Sequence, residues 1–322
     1  EEGEGEEGGG GGAPLVVARS TNIRRTIQSA QSLLLGLYPL EARAPGALLL
    51  PVAVRPIEEE AMIPNADRSC RRQLELIREL DAAGNQLPRD LRESDLEARV
   101  REVFGLGAGR KVVWTAAREV LVCHHQHGFP LPLPPGVDAG LVGEVLRASV
   151  AVWTSWFAHP EFNRLAMGPF LTELLAALLP SSPAAAAAAA AAGGGEEGRR
   201  RRGRPGDRPR LALFSAHDNT LVPLLVALGA YDGELPPYAA LLTLEVAADR
   251  ATGERFMRVV YNHREVAAPV GTPLDRQEGI WVPLESFRAQ LAQRIPGRTM
   301  GSKLDKGDEI PATKDELSAS VA

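Results

Sequence analysis

Three side chains of this sequence have the types and spacing needed for chemistry on an oxyanion. His217 and Asp218 are adjacent and follow a short apolar run, and Arg19 follows another one. A guanidinium binds oxyanions through paired N–H donors. An imidazole beside a carboxyl group can hold the anion while the carboxyl protonates a leaving group. The set therefore favours a substrate that carries an oxyanion and a leaving group to protonate.

The elements that must position His217 and Asp218 lie in 211–229, which reads LALFSAHDNTLVPLLVALG. The apolar start predicts a buried strand of a parallel sheet. The leucines after the polar pair repeat at i, i+3, i+4 and i+7, which predicts a helix that Asn219 or Thr220 caps and Gly229 ends. His217 and Asp218 would then lie at the carboxyl end of a strand, where open α/β sheets bind ligands. The alternative that Asp218 is only a helix cap stays open at this point.

A similar unit occurs at 13–38, which reads APLVVARSTNIRRTIQSAQSLLLGLY. LVVA predicts a strand, and the polar residues 19–22 follow it. Residues Ile23, Ile27, Ala30, Leu34 and Leu37 then predict the apolar face of a helix. Arg19 would thus stand where His217 stands in the other unit.

Both units resemble the histidine acid phosphatases, a branch of the histidine phosphatase superfamily, and more closely its lysophosphatidic acid phosphatase (acid phosphatase type 6) branch. Supporting stretches follow in the family's order: IPNADRSC at 63–70, HGFP at 127–130, MGPFLTELL at 167–175, ELPPYAALLTLEV at 234–246 and VVYNHREV at 259–266. The resemblance covers roughly 15–293, apart from one insertion, and several motifs in the right order make it specific.

The resemblance implies roles only at matching positions. Arg19 in RSTN matches the family's phosphate-binding arginine. His217 matches the histidine that binds phosphate and stabilises the transition state, and Asp218 matches the proton donor. His127, in HGFP, matches the wall of the substrate pocket. The family's nucleophilic histidine lies in an Arg-His-Gly-x-Arg-x-Pro motif, and no Arg-His-Gly tripeptide occurs in the 322 residues. We therefore expect the sequence to be a fragment that lacks the nucleophile and its strand.

The fold is predicted as α/β: an open, mostly parallel sheet flanked by helices, as in the phosphoglycerate-mutase-like or histidine phosphatase fold, with an inserted all-helical cap and without the N-terminal strand. ALLLPVAV, at 47–54, is a further strand candidate. PPYAALLTLEVA and ERFMRVVYNH predict two strands joined by a turn at DRATGE. These two strands are expected to extend the sheet antiparallel at its edge.

Five stretches between the two units have helical patterning and no intervening strand, which predicts the helical cap. They are 68–83, 89–104, 111–127, 138–158 and 160–179. The predicted organisation is as follows: a disordered Glu/Gly segment at 1–12, an incomplete α/β core at 13–64 and 210–293, a mainly helical cap at 65–180, a low-complexity Ala/Arg insertion at 181–209 and a disordered tail at 296–322.

No cofactor or metal is predicted. His124, His125 and His127 lie close together, but a helix would place only the first and third on one face, and no HExxH motif accompanies them. The acidic run 58–60 has no histidine nearby and is typical of a solvated loop. The serine-hydrolase, nucleotide-loop and CxxC motifs do not occur in the sequence.

Composition narrows the partners. A net charge of −5 argues against a nucleic-acid protein, and no apolar run reaches the length of a membrane span. The expected partner is a small-molecule phosphomonoester. The resemblance is compatible with a mitochondrion or another organelle, although no targeting segment is recognisable.

Two functions remain open. One is a phosphomonoester hydrolase that forms a phosphohistidine intermediate, acting on lysophosphatidic acid or a similar phosphomonoester. The other is a catalytically inactive pseudoenzyme that binds phosphate through Arg19 and His217. The Arg-His-Gly-x-Arg-x-Pro motif discriminates between them.

Overall fold

The computed structural model describes residues 16–43, 50–64, 70–83, 87–107, 109–127, 136–178, 210–266, 274–276 and 279–295. The strands in these ranges are β1 (Val16–Ser20), β2 (Leu211–Ser215), β3 (Leu242–Ala248), β4 (Arg255–Tyr261), β5 (Arg264–Val266), β6 (Leu274–Arg276) and β7 (Gly279–Pro283). The helices are α1 (Arg24–Leu37), α2 (Arg71–Ala82), α3 (Arg89–Glu93), α4 (Leu96–Val103), α5 (Trp114–His127), α6 (Ala139–Phe157), α7 (Pro160–Leu178), α8 (Asp218–Leu228) and α9 (Leu284–Ala292). The α/β class predicted from the sequence is confirmed.

Strands β1 and β2 pair in parallel, in register from Val16 opposite Leu211 to Ser20 opposite Ser215. β1 runs one residue past Arg19, so Arg19 lies inside the strand and not in the polar elbow that follows it. Arg19 pairs with Phe214, three residues before His217. The expectation that Arg19 and His217 occupy equivalent places was therefore wrong, because the polar residues Arg19 and Ser20 continue the ladder.

The strand candidate 47–54 is reduced to a single parallel bridge in the described residues. Ala53 pairs with Arg19, its N–H donates to the Ala18 carbonyl, and its own carbonyl accepts from the Ser20 N–H. Residues 44–49 lie outside the described ranges. The bridge brings the segment 50–62 alongside β1, on the edge that β2 leaves open.

Helix α8 begins two or three residues earlier than its pattern suggests. His217 is the N-cap residue, and Asp218 is the first helical residue, so neither Asn219 nor Thr220 caps the helix. Gly229 ends it in the left-handed conformation, as predicted, with φ of 66°. The helix is buried beyond its leucine face, since Val222 and Pro223 are buried too. α8 is therefore an interior element, packed on more than one side.

Helix α1 buries a narrower face than predicted. Ala30 and Leu34 are buried with Thr26, whereas Leu37 is exposed, and Ile23 precedes the helix as its N-cap residue. The buried Thr26 side chain turns toward the loop that follows β1, where its hydroxyl donates to the Ile23 carbonyl over 2.8 Å. The polar side chain at the start of α1 is thus part of the elbow between β1 and α1.

The helical cap comprises α2 to α7. The predicted helix 89–104 is divided into α3 and α4 because Asp95 adopts a left-handed backbone with φ of 50°. Val100, Leu121, Leu141 and Val145 lie in the apolar core that α3 to α6 share. Trp153 stacks edge-on against Phe157 in a second cluster that reaches Val222 of α8. The cap therefore packs directly on the helix that follows the His-Asp pair.

Strands β3 and β4 form the predicted antiparallel hairpin. They do not extend the β1–β2 pair: in the described residues they belong to a separate sheet with order β3-β4-β7-β6, and β5 also pairs with β4. Met257 of β4 and Phe287 of α9 pack with Leu228 of α8 and Leu171 of α7 in one apolar cluster. Helix α7 of the cap and helix α8 thus pack against this sheet, and α8 also contacts α6 of the cap. β6, β7 and α9 had not been predicted as separate elements.

Three predicted low-complexity segments lie outside the described residues: the Glu/Gly stretch 1–12, the Ala/Arg insertion 181–209 and the tail 296–322. None of the described helices is long and apolar enough to cross a bilayer.

Gly229 should be intolerant of a side chain, because an L-residue in its left-handed conformation costs about 1–2 kcal/mol. We expect Gly229→Ala to lower the free energy of unfolding by about that amount, measured by urea denaturation. Gly36→Ala is the matched control: Gly36 is an exposed residue inside α1 with nothing within 4 Å of an added Cβ. That substitution should stabilise the protein by about 0.5–1 kcal/mol. A loss at both positions would contradict the explanation.

Candidate active site

The site forms where β1 and β2 end and α1 and α8 begin. The parallel register places both carboxyl ends at one edge, and the Thr21 N–H donates to the Ser215 carbonyl just beyond the ladder. The Ser215 hydroxyl donates in turn to the Thr26 carbonyl at 2.7 Å. Two helix N-termini therefore meet beside His217, and their free N–H groups make this edge electropositive.

His217 is held at both ring nitrogens. Its Nε2 lies 2.9 Å from Thr21 Oγ1, and its Nδ1 lies 3.4 Å from Nη2 of Arg25. A guanidinium has only donors, so Nδ1 must accept and the proton must be on Nε2, which donates to Thr21. The Thr21 hydroxyl then donates to Thr26 Oγ1 at 2.7 Å. The surroundings of His217 thus select one neutral tautomer.

The environment of His217 also disfavours its charged form. Burial is the main cause, and the neighbouring Arg25 guanidinium adds to it, while the Asp218 carboxylate opposes both. Together they lower the pKa of His217 to about 4. His217 is therefore a neutral hydrogen-bonding group at neutral pH and brings no positive charge to the site.

Asp218 is oriented by one backbone group and one arginine. Its Oδ1 accepts from the Asn219 N–H at 2.8 Å, and its Oδ2 lies 3.6 Å from Nη1 of Arg118. Arg118 is a buried residue of α5, and its Nη1 also donates to Glu119 at 2.7 Å. About a third of the Asp218 side chain remains exposed. The carboxyl group is therefore oriented by the Asn219 N–H and by Arg118 of the helical cap. It remains accessible to solvent, as a proton donor to a substrate must be.

Arg19 is buried, with 2% of its surface exposed, and its guanidinium is held by two carboxylates. Nη2 donates to Glu60, which follows a 3₁₀ turn at Ile57–Glu59, and Nη1 donates to Glu173 of α7. Glu173 also accepts from Arg55 at 2.6 Å. These four residues, which we call the Arg19 cluster, have formal charges that sum to zero. The two carboxylates engage the terminal nitrogens of the guanidinium, while the buried Nε of Arg19 has no hydrogen-bond partner in the described residues.

Glu60 corrects the prediction of a solvated acidic run. Glu58 and Glu59 are exposed, but Glu60 has 1% of its surface exposed. Burial raises the pKa of the Glu60 carboxyl, against the effects of the Met62 N–H and Arg19. The Met62 carbonyl accepts from the Thr220 hydroxyl at 2.6 Å, and that hydroxyl accepts from the His217 N–H at 3.3 Å. A chain of hydrogen bonds thus joins the Arg19 cluster to the start of α8.

The structure brings together most of the predicted site residues. His217 and Asp218 lie at the elbow, and Arg19 lies on the adjacent strand, turned toward Glu60 and Glu173. His127 is the last residue of α5, and its side chain lies outside what the structure describes. Sequence reasoning missed five residues of the site: Thr21, Arg25, Glu60, Arg118 and Glu173. The RSTNIRRT stretch contains the first two; nothing in the sequence pattern singled out the last three.

Metal binding has no support in the described part of the chain. No group of three or more His, Cys, Asp or Glu side chains there could hold a metal ion. The imidazoles of His124 and His125 are not described.

With this geometry, the class of the site can be compared with known proteins. Residues 157–262, from the end of α6 through β4, match the model of the histidine phosphatase superfamily (branch 2). This range contains the His217–Asp218 elbow. The resemblance to the histidine acid phosphatases is confirmed.

Particular relatives agree with this class. The testicular acid phosphatase of Homo sapiens is 32% identical over 239 residues, covering 71% of this chain and 50% of the relative. The lysophosphatidic acid phosphatase type 6 of Bos taurus is 26% identical over 274 residues, covering 84% and 56%. The chain thus spans about half the length of these curated relatives.

Solved structures show the same fold at low identity. The phytase of Klebsiella sp ASR1 superposes with a TM-score of 0.58 at 17% identity, over 88% of this chain and 78% of the phytase. A Hafnia alvei phytase, solved in complex with myo-inositol hexakis sulphate, gives 0.58 at 15% identity, over 87% and 79%.

The lowered pKa of His217 predicts a pH dependence of stability. The unfolded chain binds a proton near pH 6.5 and the folded protein only near pH 4, so stability should fall as the pH drops through this window. His217→Gln, which cannot be protonated, should remove that part of the loss in urea unfolding measured at several pH values. His263→Asn, at an exposed turn with φ of 66°, is the control and should keep the wild-type profile. Identical profiles for all three proteins would show that burial does not suppress protonation of His217.

The buried charge of Arg19 predicts a large effect of its removal. Arg19→Met leaves the Glu60 carboxylate buried without its main cation, and breaking such pairs typically costs about 3–5 kcal/mol. We expect that loss at neutral pH, with part of it recovered at low pH as Glu60 binds a proton, or by adding Glu60→Gln. Arg147→Met, which breaks an exposed pair with Asp90, should cost less than about 1 kcal/mol. Equal losses for the two arginines would contradict the role of burial.

Proposed function

We propose that this chain carries the proton-donor and phosphate-binding part of a phosphomonoester hydrolase of the histidine acid phosphatase type. The observation that carries the proposal is the elbow itself: an oriented, partly exposed Asp218 next to His217 at the N-terminus of α8. Helix N-termini and guanidinium groups favour an anion there. The acid phosphatase names of the relatives support the same reaction class.

In the proposed reaction, the phosphoryl group moves from the ester oxygen to an imidazole nitrogen. The P–O bond of the ester breaks, the P–N bond forms, and Asp218 gives its proton to the departing oxygen. Water then attacks the phosphorus while Asp218 takes a proton from that water, so that a new P–O bond forms, the P–N bond breaks and phosphate is released. His217, neutral and fixed by Thr21, donates a hydrogen bond to a phosphoryl oxygen once that contact is exchanged. Arg19 contributes to phosphate binding through guanidinium N–H groups that Glu60 and Glu173 do not engage.

The nucleophile has to come from outside these 322 residues. They contain no Arg-His-Gly tripeptide, and His217 is already committed to Thr21 and Arg25. A second residue, held in line with the leaving oxygen, is required for attack. We therefore propose that a segment with the Arg-His-Gly-x-Arg-x-Pro motif completes the site in the whole protein.

The proposed substrate is a small phosphomonoester, and lysophosphatidic acid is the first to test because relatives bear that name. The aromatic residues of the cap do not themselves argue for a lipid tail. Trp153 and Phe157 pack in the core cluster between α2, α6 and α7, and the Trp156 indole donates to Asp81 at 3.2 Å. The choice of lysophosphatidic acid therefore rests on the names of the relatives and not on a pocket in the described residues.

The alternative is a pseudoenzyme that holds phosphate without cleaving it. One observation favours it: in this structure the terminal nitrogens of Arg19 and both ring nitrogens of His217 are already engaged by protein groups. A site of this kind can remain closed to chemistry. The two functions differ in whether the protein turns over an ester once the missing motif is supplied.

The role of Asp218 can be tested in a protein extended with an Arg-His-Gly-x-Arg-x-Pro segment. Protonation matters most for a basic alkoxide, so Asp218→Asn should slow phosphorylation by an alkyl phosphate by about 10²- to 10⁴-fold. The loss with p-nitrophenyl phosphate should be distinctly smaller, because p-nitrophenolate leaves without help. Single-turnover rates with the two substrates measure the difference.

Asp232→Asn is the control, since Asp232 is an exposed acid just beyond α8 whose carboxylate accepts from the Glu234 N–H. It should leave both rates unchanged. Equal losses with both substrates in Asp218→Asn would mean that Asp218 only supports the start of α8. Absence of turnover in the extended wild-type protein would favour the pseudoenzyme.

A further inference from the structure

Three arginines surround the elbow, and the structure leaves them in different electrostatic states. Arg19 is buried between Glu60 and Glu173, and Arg118 is buried between Glu119 and Asp218. Arg25 is exposed, and no carboxylate of the described residues forms an ion pair with it. Of these three cations, Arg25 is therefore the one whose charge the described part of the protein does not neutralise.

The place of Arg25 in its helix makes this charge unfavourable by itself. Arg24 and Arg25 form the first turn of α1, which contains no acidic residue. A cation at a helix N-terminus faces the positive end of the helix dipole, where anions are preferred. The position of Arg25 is thus not explained by helix stability, and a bound anion would compensate both the side chain and the helix end.

Arg25 differs from Arg24 in what it faces. Its Nη2 donates to His217 Nδ1 over 3.4 Å, while no described contact joins Arg24 to the elbow. This contact uses one of five guanidinium N–H donors, so four remain for a ligand. The charged groups that face His217 are Arg25 from α1 and Asp218 from α8, and Arg118 of α5 reaches Asp218.

We propose that Arg25 binds an oxygen of the substrate phosphoryl group beside His217 and supplies the positive charge that the neutral imidazole does not. The inference rests on the proposed phosphatase function and adds a binding residue to it. In this arrangement His217 fixes the guanidinium through Nδ1, and the remaining N–H donors point to the anion. Arg19, paired with Glu60 and Glu173, also ties β1 to α7 and to the segment that carries Glu60.

Inorganic phosphate provides the test with the 322-residue chain as it is. Phosphate is titrated into protein labelled with ¹⁵N-histidine at constant ionic strength near neutral pH, and the His217 ring signals, assigned through His217→Gln, are followed by NMR. Loss of a charge-assisted hydrogen bond should raise the dissociation constant about ten-fold or more in Arg25→Gln. Arg25→Lys should lie between that variant and the wild type, because it keeps the charge without the planar fork.

Arg24→Gln is the matched control, since it removes the same charge from the neighbouring position of the same helix turn. It should change the dissociation constant by less than about two-fold. Thermal unfolding of all variants checks that these exposed substitutions leave the fold intact.

Two outcomes would overturn the inference in different ways. If phosphate shifts the His217 signals with the same affinity in Arg25→Gln and the wild type, Arg25 is not a binding residue, while the proposed site stands. If millimolar phosphate leaves the His217 signals of the wild type unchanged, the elbow of this chain does not bind phosphate, and both proposals fail. If Arg24→Gln and Arg25→Gln weaken phosphate binding equally, the effect comes from the overall positive charge at the start of α1. That result would also contradict a direct contact between Arg25 and phosphate.

Discussion

The parallel ladder between β1 and β2 is the interaction on which the site depends. It joins two segments almost 200 positions apart in the chain and fixes Ser20 opposite Ser215. A shift of this register by one residue would turn every side chain of one strand to the other face. Thr21 would then no longer meet His217, and the two helix N-termini would not converge. Formation of the site therefore depends first on the strand register and only then on the individual side chains.

Charge compensation is the second constraint. A guanidinium that is 2% exposed must be paired, and Arg19 recruits one carboxylate from the segment after the Ala53 bridge and another from α7. The same segment reaches the start of α8 through Met62 and Thr220. The Arg19 cluster thus joins the cap, the parallel strand pair and α8. Burial raises the pKa of Glu60, because desolvation disfavours its charged form despite the nearby Arg19.

The family match and the geometry of the site are independent observations, and each supports the other. The family match covers 157–262 and therefore includes His217 and Asp218 but not Arg19 or Arg25. The chain spans about half the length of several relatives. What the described elements provide is an oriented carboxyl group, a neutral imidazole and an electropositive edge. Those features suit the leaving-group side and the phosphate side of a phosphomonoesterase.

Local pattern was enough to predict the two strand-to-helix units, the hairpin of β3 and β4, the cap helices and the end of α8 at Gly229. Those features follow from apolar periodicity and from backbone preferences that act over a few residues. Tertiary structure alone decided that Arg19 pairs with Phe214 in the strand ladder and that Glu60 is buried against the Arg19 guanidinium. It also decided that β3 and β4 belong to a separate sheet. Periodicity shows which face of an element is apolar, but it does not show which distant element covers a charge. The partners of Arg19 lie 41 and 154 residues away in sequence, so only the packed chain could select them.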